Sequence, residues 1–325
     1  MDFFFGGMNM FLQIVLLIIG FVVLIKGADL FVDSASSLAL NFKLSKMLIG
    51  LTIVAFGTSA PEFAVSVKSI ISNNSDMVLG NVIGSNILNI LLIVGFCSLI
   101  KPIKVKSNTV RKELPIVMLF STLLFFLIKD DLFVNSVNSI NRNDGFVIVL
   151  FFMVFVYYLI SIMRNKKDND VDELAKYGIG KSILFTIFGI VCIILGSNVV
   201  VDSASKIASL MGISQKMIAL TVVAFGTSLP ELVTSIVSTR KGEHEILVGN
   251  IVGSNIFNIG IVLGVPVALF GGIQAVGFSI IDLIVMIVSA ILLFVFAYRD
   301  HEIHRHEGII MLVLFVVYYS YVIFG

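Results

Sequence analysis

The stretch Ala55-Phe56-Gly57-Thr58-Ser59-Ala60-Pro61-Glu62 decides the fold. It lies inside an apolar run from Met47 to Ile71, long enough to cross a bilayer, for which roughly 20 helical residues suffice. Gly57 and Pro61 both oppose a continuous helix, and Pro61 lacks the backbone donor that the Gly57 carbonyl would otherwise use. The carbonyls of Gly57, Ala55 and Thr58 are therefore expected to loosen. In hydrocarbon such carbonyls must be satisfied by protein, water or an ion. Glu62 follows in the first turn of the resumed helix, and Thr58 and Ser59 share its face. A carboxylate beside hydroxyls and loosened carbonyls at mid-membrane depth points to a hard-cation site.

The same stretch returns, 169 residues later, as Ala224-Phe225-Gly226-Thr227-Ser228-Leu229-Pro230-Glu231. That offset holds without a gap from Gly27 to Asn89. Gly196-Ser197-Asn198-Val199-Val200-Val201-Asp202-Ser203 answers Gly27-Ala28-Asp29-Leu30-Phe31-Val32-Asp33-Ser34. Gly249-Asn250-Ile251-Val252-Gly253-Ser254-Asn255-Ile256-Phe257-Asn258 likewise answers Gly80-Asn81-Val82-Ile83-Gly84-Ser85-Asn86-Ile87-Leu88-Asn89. A match of this length is an internal duplication.

Composition sets the solvent. Hydrophobic residues make up 58% of the 325 and charged residues only 13%, the balance of a multi-pass membrane protein. A net charge of +1 gives no reason to expect a nucleic-acid partner. Cys97 and Cys192 each sit in an apolar run, as buried thiols do. The first apolar segment has no basic residue before it and its end is copied in mid-chain, so it is expected to be a helix of the mature protein and not a leader.

The expected architecture is all-α, with ten transmembrane helices as two inverted five-helix repeats. The first repeat covers residues 1–165, a cytosolic linker 166–181, and the second repeat 182–325. Helices are expected near 11–31, 47–71, 78–100, 114–128 and 145–163, and again in the second half, ending with 278–298 and 308–324. An odd number per half forces the copies to enter the membrane in opposite directions. With both termini outside, sixteen Lys and Arg residues fall on cytosolic connections, against Lys129, Arg142, Lys206 and Lys216 outside, which satisfies the positive-inside rule. Asn81, Ser85 and Asn89, and their counterparts Asn250, Ser254 and Asn258, recur every four residues and form polar stripes. Inverted repeats with interrupted helices meeting at the midplane are a transporter plan.

These paired elements resemble the two alpha-repeats of the cation/calcium antiporter superfamily, and most nearly its prokaryotic sodium/calcium exchangers. The resemblance implies an antiporter of the cell membrane that exports calcium by alternating access, acts as a monomer, and needs no cofactor beyond the transported calcium and sodium ions. It implies that Glu62 and Glu231 are shared carboxylate ligands and that the carbonyls of Thr58 and Thr227 complete the calcium site. Ser59, Ser85, Ser228 and Ser254, with the carbonyls of Ala55 and Ala224, would line flanking sodium sites, with Asn89 and Asn258 facing the centre. Some relatives carry Asp where this chain has Asn258. Independently, two bidentate carboxylates plus two carbonyls supply six oxygens, within the roughly 6–8 that calcium takes, and the two charges offset the ion's own.

Other features read more simply. Asn86 and Asn255 lie off the stripes and suit interhelical hydrogen bonding. Asp33 and Asp202 suit helix ends or an entrance, and His301, His304 and His306 a solvated turn. The rival on this scaffold is a calcium/proton or other divalent-cation/proton exchanger, betrayed by calcium flux that follows pH and ignores sodium. A membrane hydrolase using Ser59 or Ser228 would lack a histidine base in any expected helix, and a channel would pass ions without a counter-ion.

Overall fold

The computed structural model describes residues 2–72, 74–129, 138–164, 174–212, 224–275 and 279–324. Among them, seven continuous helices are long and apolar enough to cross a membrane: Met10–Asn41, Asp76–Ile100, Arg142–Arg164, Ile179–Leu210, His244–Phe270, Ile280–Asp300 and Arg305–Phe324. An eighth candidate is a broken pair, Lys46–Thr58 and Ala60–Ile71, bent by 46°. Glu113–Ile128 is helical but has only 16 residues. The helix Leu229–Lys241 follows a short turn, Ala224–Thr227. The expected lead-in to that turn, residues 213–223, and the first half of the linker, residues 166–173, lie outside the described residues.

Proline makes the break. Pro61 stands in the first turn of Ala60–Ile71, where a missing N–H costs nothing. Ser59 before it takes φ −82°, ψ 6°, off the helical well. Ser228, before Pro230, takes φ −88°, ψ 5°. The two copies thus break at the same residue with the same geometry.

Among the described residues, three π-helical segments depart from the sequence expectation. Gly50–Val54 precedes the first break, while Leu88–Val94 and Asn258–Leu263 start at or next to the last asparagine of each stripe. Such one-residue bulges recur at functional sites because they re-aim side chains and loosen the backbone ladder. The ends of the first helix also differ from expectation: it continues to Asn41 instead of stopping near residue 31. Residues 32–41 contain no Pro or Gly, and Val32, Ala35, Leu38 and Ala39 are buried there. Ser37 donates to the Asp33 carbonyl at 2.8 Å, serving its own backbone. The chain then turns at Lys43, with φ 53°.

The helices sort into two layers by exposure. Met10–Asn41 and Ile179–Leu210 pack on one another through glycine: a Cβ at Gly27 would sit 2.7 Å from the Cys192 Cβ, and one at Gly196 would sit 2.7 Å from the Leu24 nitrogen. Arg142–Arg164 and Arg305–Phe324 turn residues such as Val154 and Val317 outward, the face of a lipid-solvated helix. His244–Phe270 and Asp76–Ile100 are the most enclosed of the spans. Gly249 and Gly253 let the former close on the first broken helix, where their missing Cβ atoms would lie 2.7 Å from the Met47 carbonyl and 2.6 Å from the Ala55 Cβ.

Among the described residues, two small ribbons tie the halves together. β1 (Ile103–Lys104) pairs antiparallel with β4 (Glu302–Ile303), and β2 (Ser139–Ile140) with β3 (Ile273–Gln274). Each ribbon joins a strand from one half to a strand from the other. The helix Ile280–Asp300 runs from the β2–β3 end to the β1–β4 end. The latter end gathers the ion pairs Lys46–Glu243 at 3.0 Å, Lys106–Glu245 at 2.7 Å, and Lys176 and Lys241 with Asp33 at 2.6 and 2.7 Å. Asp33 therefore fastens the first helix to the Leu229–Lys241 helix and to the residues ahead of Ile179–Leu210.

Candidate cation-binding site

Glu62 and Glu231 each sit one residue beyond the proline that restarts their helix, and each is 1% exposed. A carboxylate so enclosed requires partners, and each finds them in the opposite half. Ser59 Oγ donates to Glu231 Oε1 at 3.0 Å, and Ser254 Oγ donates to the same oxygen at 3.4 Å. Ser228 Oγ lies 3.4 Å from Glu62 Oε1 and 3.2 Å from Ser85 Oγ. The serine at each break thus reaches across to the glutamate of the other break. Neither half makes the site alone.

Four more side-chain atoms complete the picture. Glu62 Oε2, Glu231 Oε2, Asn89 Oδ1 and Asn258 Oδ1 are buried acceptors without a hydrogen-bond partner among the described residues. A buried polar group without a partner is costly, and four oxygens of this kind in one polar layer have a chemical meaning. Hard cations are bound by carboxylate, carbonyl and hydroxyl oxygen. Among the described residues no group of three or more His, Cys, Asp or Glu could hold a metal ion, so the donor set is two carboxylates supplemented by neutral oxygens. That set lacks the nitrogen and sulfur of a transition-metal site.

The remaining expected ligands divide. Thr58 is buried, and its hydroxyl lies 3.1 Å from the Val54 carbonyl and 3.0 Å from Asn250 Oδ1; Thr227 closes its turn half-buried. The Ala55 carbonyl accepts from the Ser59 amide at 3.0 Å, so part of the expected loosening is taken up by the turn itself. Ala224 opens the second turn. Asn89 and Asn258 are buried and donate their Nδ2 at 3.1 Å to Asn255 Oδ1 and Asn86 Oδ1 respectively.

The first stripe residues do other work. Asn81 Nδ2 donates to the Glu62 carbonyl at 2.9 Å and to Ser66 Oγ at 3.0 Å, and Asn250 Nδ2 donates to Ser235 Oγ at 3.2 Å. Ser66 and Ser235 had not been singled out. Each lies four residues after its glutamate, a spacing that puts it on the same helix face, so the signal was present.

Comparison with known proteins gives the family. The model for the sodium/calcium exchanger protein family matches residues 12–161 and again 181–324. The chain belongs to this family. The double match is the duplication seen in the sequence. The putative antiporter CaxA of Alkalimonas amylolytica is 37% identical over 97% of this chain and 100% of its own length. The sodium/calcium exchanger MaX1 of Methanosarcina acetivorans is 32% identical over 93% of this chain and 96% of its own. Structures of the sodium-calcium exchanger NCX_Mj superpose with a TM-score of 0.81 at 31% identity, covering 95% of this chain and 98% of that one. As a family member the chain is a multi-pass cation/calcium antiporter of the membrane.

Proposed function

We propose that this chain is a sodium/calcium exchanger that exports calcium by alternating access, one ion set at a time occupying the crossed site. The observation that carries this is the pair of buried glutamates, each with one oxygen held by serine from the opposite half and the other without a partner among the described residues. Two such charges offset one calcium ion. The same two carboxylates, with more neutral oxygens around them, suit several sodium ions. Calcium would take Glu62 and Glu231 with the Thr58 and Thr227 carbonyls. Sodium would take Ser59, Ser85, Ser228, Ser254, the Ala55 and Ala224 carbonyls, Asn89 and Asn258, and the glutamates again. Binding is then competitive, and exchange follows. The relatives named as sodium/calcium exchangers support sodium as the coupling ion.

In this reading ten helices form two inverted five-helix repeats, residues 1–165 and 182–325 joined by the linker 166–181, and the single chain suffices. The β1–β4 end, with Lys46, Lys104, Lys106, Lys241, Arg299 and Arg305, faces the cytosol. Both termini are external in the cell membrane. The glycine-packed pair Met10–Asn41 and Ile179–Leu210 slides across the enclosed core as one body.

The test uses purified protein in liposomes, with sodium, proton and potassium gradients imposed separately. All site groups except the glutamates are neutral, so a calcium-loaded site is near zero charge and a sodium-loaded site is positive. Calcium flux should follow sodium, ignore potassium, and respond to voltage with roughly 2.3 kcal/mol per net charge per 100 mV. Flux driven by pH and indifferent to sodium and voltage would give the site to proton exchange.

A further inference from the structure

The buried amides of Asn86 and Asn255 play no part in the ligand set above, yet they touch it on both sides. Asn255 Oδ1 accepts from Asn89 Nδ2 at 3.1 Å, and Asn86 Oδ1 accepts from Asn258 Nδ2 at 3.1 Å. Both bonds cross from one half to the other. Asn86 Nδ2 adds a bond to the main-chain carbonyl of Asn255 at 3.3 Å, which fixes its own amide. All four asparagines are 1% exposed, so no bulk water competes for these groups.

An asparagine side chain has one end that a cation accepts and one that it repels, and nothing in the sequence says which end faces the site. Here the NH2 groups of Asn89 and Asn258 are committed to Asn255 and Asn86, while their oxygens remain without a partner among the described residues. The orientations are coupled. Were Asn255 to offer its NH2 instead, Asn89 would have to turn its oxygen to it and its own NH2 toward the site. Asn89 shares a helix face with Ser85, whose hydroxyl is bonded to Ser228 beside Glu62.

We propose that Asn86 and Asn255 are positioning residues for cation selectivity: each holds the NH2 of the opposite half's last stripe asparagine, so that Asn258 and Asn89 present oxygen to the transported ions. This rests on the cation site proposed above. Groups that orient metal ligands from behind typically alter metal affinity 10–100-fold when removed, and the same range is expected here, divided unequally between calcium and sodium because the two ions use different neutral oxygens.

The experiment is a set of double-mutant cycles on the purified full chain in liposomes, reading the half-saturating calcium concentration, the sodium concentration that halves calcium uptake, and maximal turnover. Calcium binding by calorimetry repeats the first readout without transport. Asn86→Ala should raise half-saturating calcium about tenfold or more and change the calcium-to-sodium ratio, with a smaller effect on turnover. In an Asn258→Ala background the same change should add nothing, because its target is gone, whereas in an Asn89→Ala background it should add in full. Asn255→Ala should behave in mirror fashion, silent only in the Asn89→Ala background. Should an alanine fail to fold, leucine at the same position roughly keeps the volume while removing the amide, acceptor and donor alike. Additive effects in all four combinations, or lost stability with unchanged selectivity, would make these residues interhelical struts and overturn the proposal alone. If Asn89→Ala and Asn258→Ala themselves leave both ion affinities unchanged, the neutral part of the cation site fails and this inference falls with it.

Discussion

Replacing Glu231 by glutamine changes one atom and one charge, and the structure says which atom. Oε1 is the acceptor for Ser59 and Ser254, and a glutamine oxygen can keep both bonds. The NH2 then falls at Oε2, the oxygen without a partner among the described residues. The fold should survive while the cation meets a donor instead of an anion. Two unit charges about 4 Å apart at an effective dielectric near 20 attract by about 4 kcal/mol, hence about 8 kcal/mol for a divalent ion. If relaxation and water return half of this, calcium binding weakens by about 4 kcal/mol and each sodium by about 2 kcal/mol, roughly a thousandfold and thirtyfold. The ratio of two between those free energies is the firmer quantity, since the relaxation enters both. Glu62→Gln should behave alike, its Oε1 being held by Ser228.

The assay is sodium-dependent calcium uptake in liposomes, paired with calcium and sodium titrations of the purified variants. Either variant should insert and unfold near the wild-type temperature yet carry almost no calcium. Near-normal calcium flux from either one would refute the shared site. Equal free-energy losses for the two ions would refute the charge-compensation argument even if flux were lost.

Three further outcomes follow from other parts of the chain. Gly249→Ala places a Cβ 2.7 Å from the Met47 carbonyl and 2.8 Å from the Gly50 Cα; these are backbone atoms, so about 1–3 kcal/mol of overpacking should lower the unfolding temperature, whereas Gly178→Ala, with nothing described within 4 Å of its Cβ, should leave it in place. In a background lacking Cys97 and Cys192, single cysteines at Ser107 and Asn169 should label only from the cytosolic side and one at Asn74 only from the other, and labelling of Asn74 and Asn169 from the same side would remove the inverted repeat. His304 Nε2 lies 2.7 Å from Asp300 Oδ2, and this partner holds its pKa above the ordinary histidine value. The stabilising pair is therefore fully present in acid and fades as pH rises through the raised pKa. Proton-detected titration should find the imidazole returned toward its ordinary value in Asp300→Asn.

The break at Pro61, its copy at Pro230 and the two glutamates were legible because proline and an intramembrane carboxylate act locally, through bonds within a few residues. What could not be read was which half supplies each partner. Ser59 lies three residues from Glu62 and would be assigned to it by spacing, yet its hydroxyl bonds Glu231, 172 residues away. The π segments escaped because Leu88–Val94 and Asn258–Leu263 are ordinary apolar helix by composition; one extra residue per turn is set by packing. Tyr158 donating to buried Glu113 also escaped, since an aromatic residue in a lipid-facing helix gives no sign of a carboxylate partner. Asp33 was expected at a helix end or entrance. It lies well inside Asp2–Asn41, bonded to two lysines brought from distant segments.

The crossed pairing bears on why such a chain is duplicated at all. A site in which each half furnished a carboxylate and its own serine would persist whichever way the halves moved. Here Ser59 serves Glu231 and Ser228 serves Glu62, and the asparagine amides cross in the same manner. The oxygens converge only where the two breaks face one another, and each break arises from a proline that its own half carries. In the proposed inverted arrangement, each crossed contact would have a counterpart pointing toward the opposite membrane face. A movement that opens one side can then be matched by its mirror on the other, with the two glutamates fixed between them. Under the proposed alternating-access reading, the ion set that neutralises those carboxylates would be the one that lets the movement proceed, because an uncompensated pair of charges at mid-membrane depth is costly to enclose.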